Sequence, residues 1–84
     1  MRFKVGNLMS TKHLRNVPLN LFRDFLVDKG CVCNRITGGH EHWTRSDLKR
    51  TITIQTHIDP IPEFIIKNAL TQLGLTKKDF TDWI

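Results

Sequence analysis

The first apolar stripe of the chain lies between a proline and a glycine and predicts a helix. Leu19, Phe22 and Leu26 recur three and four residues apart, so their side chains share one helical face. Pro18 suits the first turn, where its missing N–H costs no hydrogen bond. Gly30 can adopt the positive φ of a C-terminal cap, which predicts that the helix ends there.

A second stripe predicts a helix over about residues 62–73, with Gly74 as its cap. The apolar residues of this stripe are Ile66, Ala69, Leu70 and Leu73. Thr76 precedes an acidic residue by three positions, a variant of the capping box that predicts the start of a short third helix. Phe80 and Trp83 of that helix are expected to fold back onto the core.

Turn residues divide the segment between the two main helices into three runs that predict strands. The runs span Cys31–Thr37, His40–Arg45 and Thr51–Thr56. Gly38-Gly39 separates the first run from the second, and the polar turn Ser46–Lys49 separates the second from the third. Connections this short join neighbouring antiparallel strands. The sequence therefore predicts an α-β-β-β-α order with a helical tail.

Alternation within the runs indicates which side chains face the helices. In the first run, strict alternation places Val32 and Ile36 on one face and Cys33 and Arg35 on the other. The large apolar residues of the other two runs are assigned to the core: Trp43, Ile52 and Ile54. For Trp43, a platform on which an RNA base stacks is the competing interpretation. The predicted fold class is α+β, a three-stranded antiparallel sheet with two helices on one face. The other face is left open, polar and basic.

The positive charge of the chain is concentrated in its first part. The 84 residues carry a net charge of +5. Residues 1–50 hold ten Lys/Arg against four Asp/Glu, whereas residues 51–84 hold three against four. This imbalance favours a polyanion or an acidic protein as partner, with simple solubility as the competing explanation. Residues 1–15 are interpreted as a basic N-terminal arm and residues 16–84 as one domain.

The composition also bears on the location of the protein. No apolar run approaches the roughly 18 residues that span a bilayer, and the N-terminus lacks the apolar centre of a secretory signal. Cys31 and Cys33 are separated by one residue, a spacing that disfavours a disulfide, so both are expected as thiols. We therefore expect a cytoplasmic protein with no membrane contact.

The richest stretch for chemistry is Gly38-Gly39 with the histidines that follow it. Two glycines allow a ligand close to the backbone, and His40 comes directly after them. An imidazole can take or give a proton near neutral pH. RNA cleavage needs that chemistry: the 2′-hydroxyl loses a proton and the departing 5′-oxygen gains one. A surface histidine without a role is the competing interpretation.

Three other assignments stay open at this point. His40 and His42 share one side of a strand and, with Cys33 or His57, could hold zinc, although the spacing is permissive rather than diagnostic. His57 is a loop histidine or a second proton carrier. The residues assigned to RNA binding are Arg35, Gly38, Gly39, His42, Arg45, Lys49 and Arg50.

An ordered set of motifs resembles the HicA family of toxins over about residues 16–83. The set comprises Arg35-Ile36-Thr37-Gly38-Gly39-His40, the bulky Trp43, Ile52-Thr53-Ile54 leading to Thr56-His57, a proline loop, and Phe64 to Leu75. Gly30-Cys31 at the end of the first helix and Asp79-Phe80 near the C-terminus extend the likeness. Two positions depart from the family pattern: Gly39 stands where it usually has Ser, and Cys31 where it prefers Phe.

The resemblance implies a function and a fold. HicA proteins are small metal-independent mRNA endoribonucleases of type II toxin–antitoxin systems, with a fold like that of double-stranded RNA-binding domains. Their catalytic histidine maps onto His40, and no cofactor is implied. The implied partners are an mRNA substrate and a HicB-type antitoxin that covers the active site, and their complex is expected on operator DNA.

The alternative hypothesis is a non-catalytic RNA-binding or protein-interaction module of the same fold. Modules that bind double-stranded RNA carry basic residues at the start of the last main helix, and these residues contact phosphates. Here the corresponding segment, Asp59 to Glu63, is acidic and apolar. The sequence therefore favours the toxin hypothesis.

Overall fold

A computed structural model describes residues 14–84, which form three helices and one sheet. The elements are α1 (Leu19–Asp28), β1 (Val32–Thr37), β2 (His40–Thr44), β3 (Ile52–Gln55), α2 (Glu63–Leu73) and α3 (Lys77–Trp83). The strands follow the order β1-β2-β3 with both pairings antiparallel. The predicted α-β-β-β-α order with a helical tail is confirmed. No helix within residues 14–84 is long and apolar enough to cross a membrane.

The core lies between one face of the sheet and the helices. The buried residues of α1 and α2 are Leu19, Phe22, Phe25, Leu26, Ile66, Ala69, Leu70 and Leu73. Ile52 and Ile54 of β3 are buried against them, whereas Thr53 and Gln55 are exposed. Because alternate residues of a strand point to opposite faces, one face of the sheet is covered and the other is open. Trp43 lies on the covered face, as predicted.

The ends of the helices carry the predicted caps. Gly30 has φ of 87°, and the N–H of Cys31 donates to the carbonyl of Leu26, which closes α1. Gly74, at φ of 72°, closes α2 in the same left-handed conformation. Thr76 and Asp79 form the capping box that begins α3.

The first and last parts of the described segment, residues 14–84, both pack on the core. Phe80 is fully buried and its ring meets Phe25 edge-on at 4.8 Å, which confirms the predicted fold-back. Trp83 donates its indole N–H to Asp28 at the end of α1. At the other end, Leu14 is 1% exposed and belongs to the core, although it falls within the segment predicted as an arm. Residues 1–13 of that arm lie outside the described residues.

The pairing of β1 with β2 corrects one prediction about side-chain direction. Cys33 pairs with Trp43 on the covered face, but Arg35 pairs with His42, so the register shifts across Asn34. Such a bulge places two residues of one strand opposite one of its neighbour and breaks the alternation. The prediction that Cys33 and Arg35 share a face is therefore wrong.

The same bulge separates the two large apolar residues of β1. Val32 now pairs with Thr44 on the open face, and Ile36 pairs with Glu41 on the covered face. Both remain about 60% exposed because β1 is an edge strand that the helices do not cover. The residues of the covered face are therefore buried in β2 and β3 but exposed in β1. Cys33 of β1 is an exposed thiol, whereas the thiol of Cys31 is buried.

Candidate functional site

The β1–β2 turn fixes the position of His40. Thr37 pairs with His40, so only Gly38 and Gly39 lie between the two strands. Gly38 has φ of 59°, a conformation that glycine adopts without steric cost. A positive φ at the first central residue is typical of the type II′ turn, whose twist matches that of paired strands. His40 is therefore the first residue of β2, held at the exposed end of a tight hairpin.

Four polar side chains share the open face beside this turn. Arg35 pairs with His42, and Thr37 pairs with His40, which places all four on the same side of the sheet. The Oγ1 atom of Thr37 lies 2.8 Å from Nε2 of His42, a hydrogen bond that crosses diagonally between the strands. His40 is exposed and His42 is half-buried. We call Arg35, Thr37, His40 and His42 the open-face cluster.

The third strand extends this polar surface. Gln55 pairs with His40 and Thr53 pairs with His42, so both lie on the open face next to the histidines. The N–H of Thr56 donates to the carbonyl of Gly39 at 2.8 Å, which continues the pairing up to the turn. The cluster is thus flanked by hydroxyl and amide groups that can hydrogen-bond a polar ligand.

His57 lies beside the turn rather than within the cluster. A Cβ atom added to Gly39 would meet the Cδ2 atom of the His57 ring at 3.6 Å, an ordinary van der Waals distance. Gly39 itself does not have a positive φ. A small side chain at position 39, such as the serine of the HicA pattern, therefore fits in contact with His57.

Beneath the histidines, the covered face holds a buried carboxylate. Glu41 is 3% exposed and forms an ion pair with Arg23 of α1, whose Nε donates to Oε1 at 3.2 Å. The indole N–H of Trp43 donates to the same Oε1 at 3.0 Å. Burial raises the pKa of Glu41, but the hydrogen bonds from Arg23 and Trp43 outweigh it and hold the pKa below its ordinary value. The pair therefore ties β2 to α1.

The basic residues predicted to bind RNA do not form one patch. Arg35 belongs to the open-face cluster, whereas Arg45, Lys49 and Arg50 follow the far end of β2. That end is four residues from His40, a distance of roughly 13 Å along a strand. Lys49 and Arg50 are exposed there, beside Gln72 of α2.

Arg45 is already engaged in the fold. Its Nε and Nη2 atoms donate to the two carboxylate oxygens of Asp47 at 2.6 and 2.9 Å. Its Nη1 donates to the carbonyl of Lys29, at the end of α1, at 2.6 Å. The hydrogen bond from Arg45 also lowers the pKa of Asp47. These contacts occupy the guanidinium group that the sequence assigns to RNA.

The zinc alternative loses one of its ligands in the observed geometry. Cys33 pairs with Trp43 on the covered face, opposite to the face of His40 and His42. Within residues 14–84, no three side chains among His, Cys, Asp and Glu come close enough together to hold a metal ion.

Sequence reasoning missed two features of the site: Thr37, and the ion pair between Arg23 and Glu41 on the covered face. The signal for Thr37 was available, because a two-residue turn necessarily pairs the residues on either side of it. The signal for Glu41 was also available: it shares the alternation of Trp43, so a core assignment for one implies burial of the other. A buried carboxylate requires a cation, but nothing in the sequence selects Arg23 to supply it.

Comparisons with protein-family models, with curated proteins and with solved structures gave no match to this chain.

Proposed function

We propose that this chain is a HicA-like toxin, a metal-independent endoribonuclease that cleaves mRNA with His40 as general acid or base. The observation that carries the proposal is the open-face cluster, in which two imidazoles, one guanidinium and one hydroxyl share an exposed surface. The resemblance of the sequence to the HicA pattern, with the histidine directly after the glycine turn, supports the same assignment.

The cluster contains the groups that RNA cleavage needs. A histidine on an exposed hairpin end can remove the proton from a 2′-hydroxyl or give one to the departing 5′-oxygen. Arg35, on the same face, supplies a positive charge for the phosphate oxygens that become more negative in the transition state. Neither role requires a metal ion.

The proposal includes a protein partner. A toxin of this kind acts on mRNA in the cytoplasm and is held inactive by a HicB-type antitoxin, in a complex that binds operator DNA. The net charge of +5 is complementary both to RNA and to an acidic protein. An antitoxin that covers the open face would block His40 directly, because that face lacks any helix of residues 14–84 over it.

The test is cleavage of single-stranded RNA by purified protein. Wild type, His40→Ala and Asn68→Ala are incubated with a mixed-sequence RNA, each with and without a chelator. Asn68 is exposed on α2, on the helix side of the sheet, and serves as the matched control. We expect wild type and Asn68→Ala to cut at equal rates and His40→Ala to be slower by at least about 10²-fold. Chelator should change none of these rates.

Three outcomes contradict parts of the proposal. Equal rates for wild type and His40→Ala would remove His40 as the catalyst. Inhibition of wild type by chelator would replace the metal-independent mechanism. RNA binding without cleavage by wild type would favour the alternative, a non-catalytic RNA-binding module.

A further inference from the structure

We infer that His42, held by Thr37, is the second proton-transfer group of the site, so that His40 and His42 each move one proton in the cleavage step. The inference rests on the proposed function and extends it by a second catalytic residue and a positioning residue. It is carried by the hydrogen bond between Thr37 and His42 and by the register that sets the two histidines on one face.

The Thr37 hydroxyl suits a histidine that changes its protonation state. A hydroxyl group both donates and accepts hydrogen bonds. It can donate to Nε2 of His42 when that atom carries no proton and accept from it when it does. The ring therefore keeps its orientation in both states, and Nδ1 stays available for a ligand.

The spacing of the two histidines suits one phosphate between them. Residues two apart on a strand point to the same side, roughly 6.6 Å apart. In an in-line displacement the attacking and leaving oxygens lie on opposite sides of phosphorus, so base and acid must flank the group. Arg35, directly across from His42, lies beside the same space and can contact the non-bridging oxygens.

His57 fits the second role less well. Its ring lies against Gly39 at the turn, beyond the end of β3. It is exposed, and no other group among residues 14–84 hydrogen-bonds its ring to fix a direction. His42, in contrast, is half-buried within a strand and held at 2.8 Å.

Two histidines account for both protons that move in the cleavage step. One neutral imidazole removes the proton of the 2′-hydroxyl, the 2′-oxygen bonds to phosphorus, and the bond from phosphorus to the 5′-oxygen breaks. The other, protonated imidazole gives its proton to the 5′-oxygen. The products are a 2′,3′-cyclic phosphate and a 5′-hydroxyl end. The two imidazoles have exchanged protonation states, which water restores.

A sulfur-substituted substrate separates the two roles. A first digestion of mixed-sequence RNA by wild type locates a cut, and an RNA is then made with sulfur in place of the 5′-oxygen at that linkage. A thiolate leaves without protonation, so loss of the acid is corrected by this substrate and loss of the base is not. His40→Ala, His42→Ala and His57→Ala are each compared with wild type on the oxygen and sulfur substrates.

We expect both His40→Ala and His42→Ala to be slowed by about 10²-fold or more on the oxygen substrate. Sulfur should restore one of these two variants and leave the other slow, while His57→Ala behaves as wild type. Rescue of both variants, rescue of neither, or unimpaired cleavage by His42→Ala would overturn the inference and leave the proposed function standing. Failure of wild type to cut either substrate would overturn both.

Thr37 is tested as a positioning residue by a pair of variants. Thr37→Val keeps the shape and removes the hydroxyl, so we expect a loss of about three- to tenfold, the order of one hydrogen bond. Thr37→Ser keeps the hydroxyl and should retain the wild-type rate. Because valine suits an exposed strand position, both variants should fold. Equal rates for Thr37→Val and Thr37→Ser would show that the hydroxyl has no role.

Discussion

Glu41 of β2 and Arg23 of α1 form an ion pair on the covered face of the strand whose open face carries His40 and His42. The side chain of Glu41 is almost fully buried, whereas the side chain of Arg23 is 29% exposed. Consecutive residues of one strand thus place a buried charge on one face of the sheet and two candidate catalytic histidines on the other. The ion pair joins β2 to α1 on the face of the sheet opposite to the two histidines.

The first prediction concerns this pair and acid. The pKa of Glu41 is lower in the folded than in the unfolded chain, so its ionised form stabilises the fold above the ordinary carboxyl pKa of about 4.3. That stabilisation is lost as the pH falls from the pKa of an ordinary carboxyl group to below the lower pKa that Glu41 has in the folded chain. Glu41→Gln should therefore be less stable than wild type at pH 7, and the gap should narrow towards pH 3.

The measurement is urea unfolding of both proteins between pH 7 and pH 3. At pH 7 we expect Glu41→Gln to lose about 1–3 kcal/mol of unfolding free energy, since Arg23 loses its charged partner. Glu63→Gln, which breaks an exposed pair with Lys67, should change it by no more than about 0.5 kcal/mol at pH 7. A pH-independent gap for Glu41→Gln would contradict the assignment.

The second prediction separates catalysis from stability at His40. The side chain is exposed at the end of a hairpin, so His40→Ala opens no core cavity. We expect the unfolding free energy to change by no more than about 0.5 kcal/mol while cleavage is lost. Circular dichroism and thermal unfolding of the purified variant test this. A large drop in stability would mean that lost activity reports unfolding and not chemistry.

The third prediction contrasts the two glycines of the turn. Gly38→Ala forces a side chain into a positive φ and should cost about 1–2 kcal/mol of unfolding free energy. Gly39→Ser places its Cβ at van der Waals distance from His57 without that strain, so it should change stability by no more than about 0.5 kcal/mol. Unfolding of the two variants beside wild type checks the contrast. A Gly39→Ser protein less stable than Gly38→Ala would show that the turn is misassigned.

The fourth prediction divides the basic residues by position. If Arg35 and Lys49 each contact one phosphate of single-stranded RNA, either Gln variant should reduce the slope of log affinity against log salt by about 0.7. Only Arg35→Gln should also slow cleavage at saturating RNA, because Lys49 lies at the far end of the sheet. Salt titrations and single-turnover rates separate the two effects. A wild-type affinity that does not change with salt would contradict RNA binding altogether.

Arg45→Gln provides the contrast to these variants. Its guanidinium binds Asp47 and the carbonyl of Lys29, so the substitution should lower the melting temperature rather than the salt dependence. A reduced salt slope with an unchanged melting temperature would return Arg45 to the RNA-binding set.

Much of the fold could be predicted from local pattern. The apolar stripe ending at Leu73 and its glycine cap indicate α2 because a helix buries one face at a fixed period. The two glycines before His40 indicate a two-residue turn, which sets the hairpin pairing. The shared face of His40 and His42 follows from the period of a strand. Each of these features depends on residues close together in the chain.

What only the tertiary structure decided depends on residues far apart. The bulge at Asn34 brings Arg35 to the face of His42. It arises from the pairing of β1 with β2, and the order of apolar and polar residues in β1 does not indicate it. The hydrogen bond from Arg45 to the carbonyl of Lys29 likewise depends on where the end of α1 lies relative to β2. Glu41 needed a cation, and only the packing of α1 on the sheet selected Arg23. Local periodicity determines which elements form, whereas the partners of charged side chains are determined by how those elements pack.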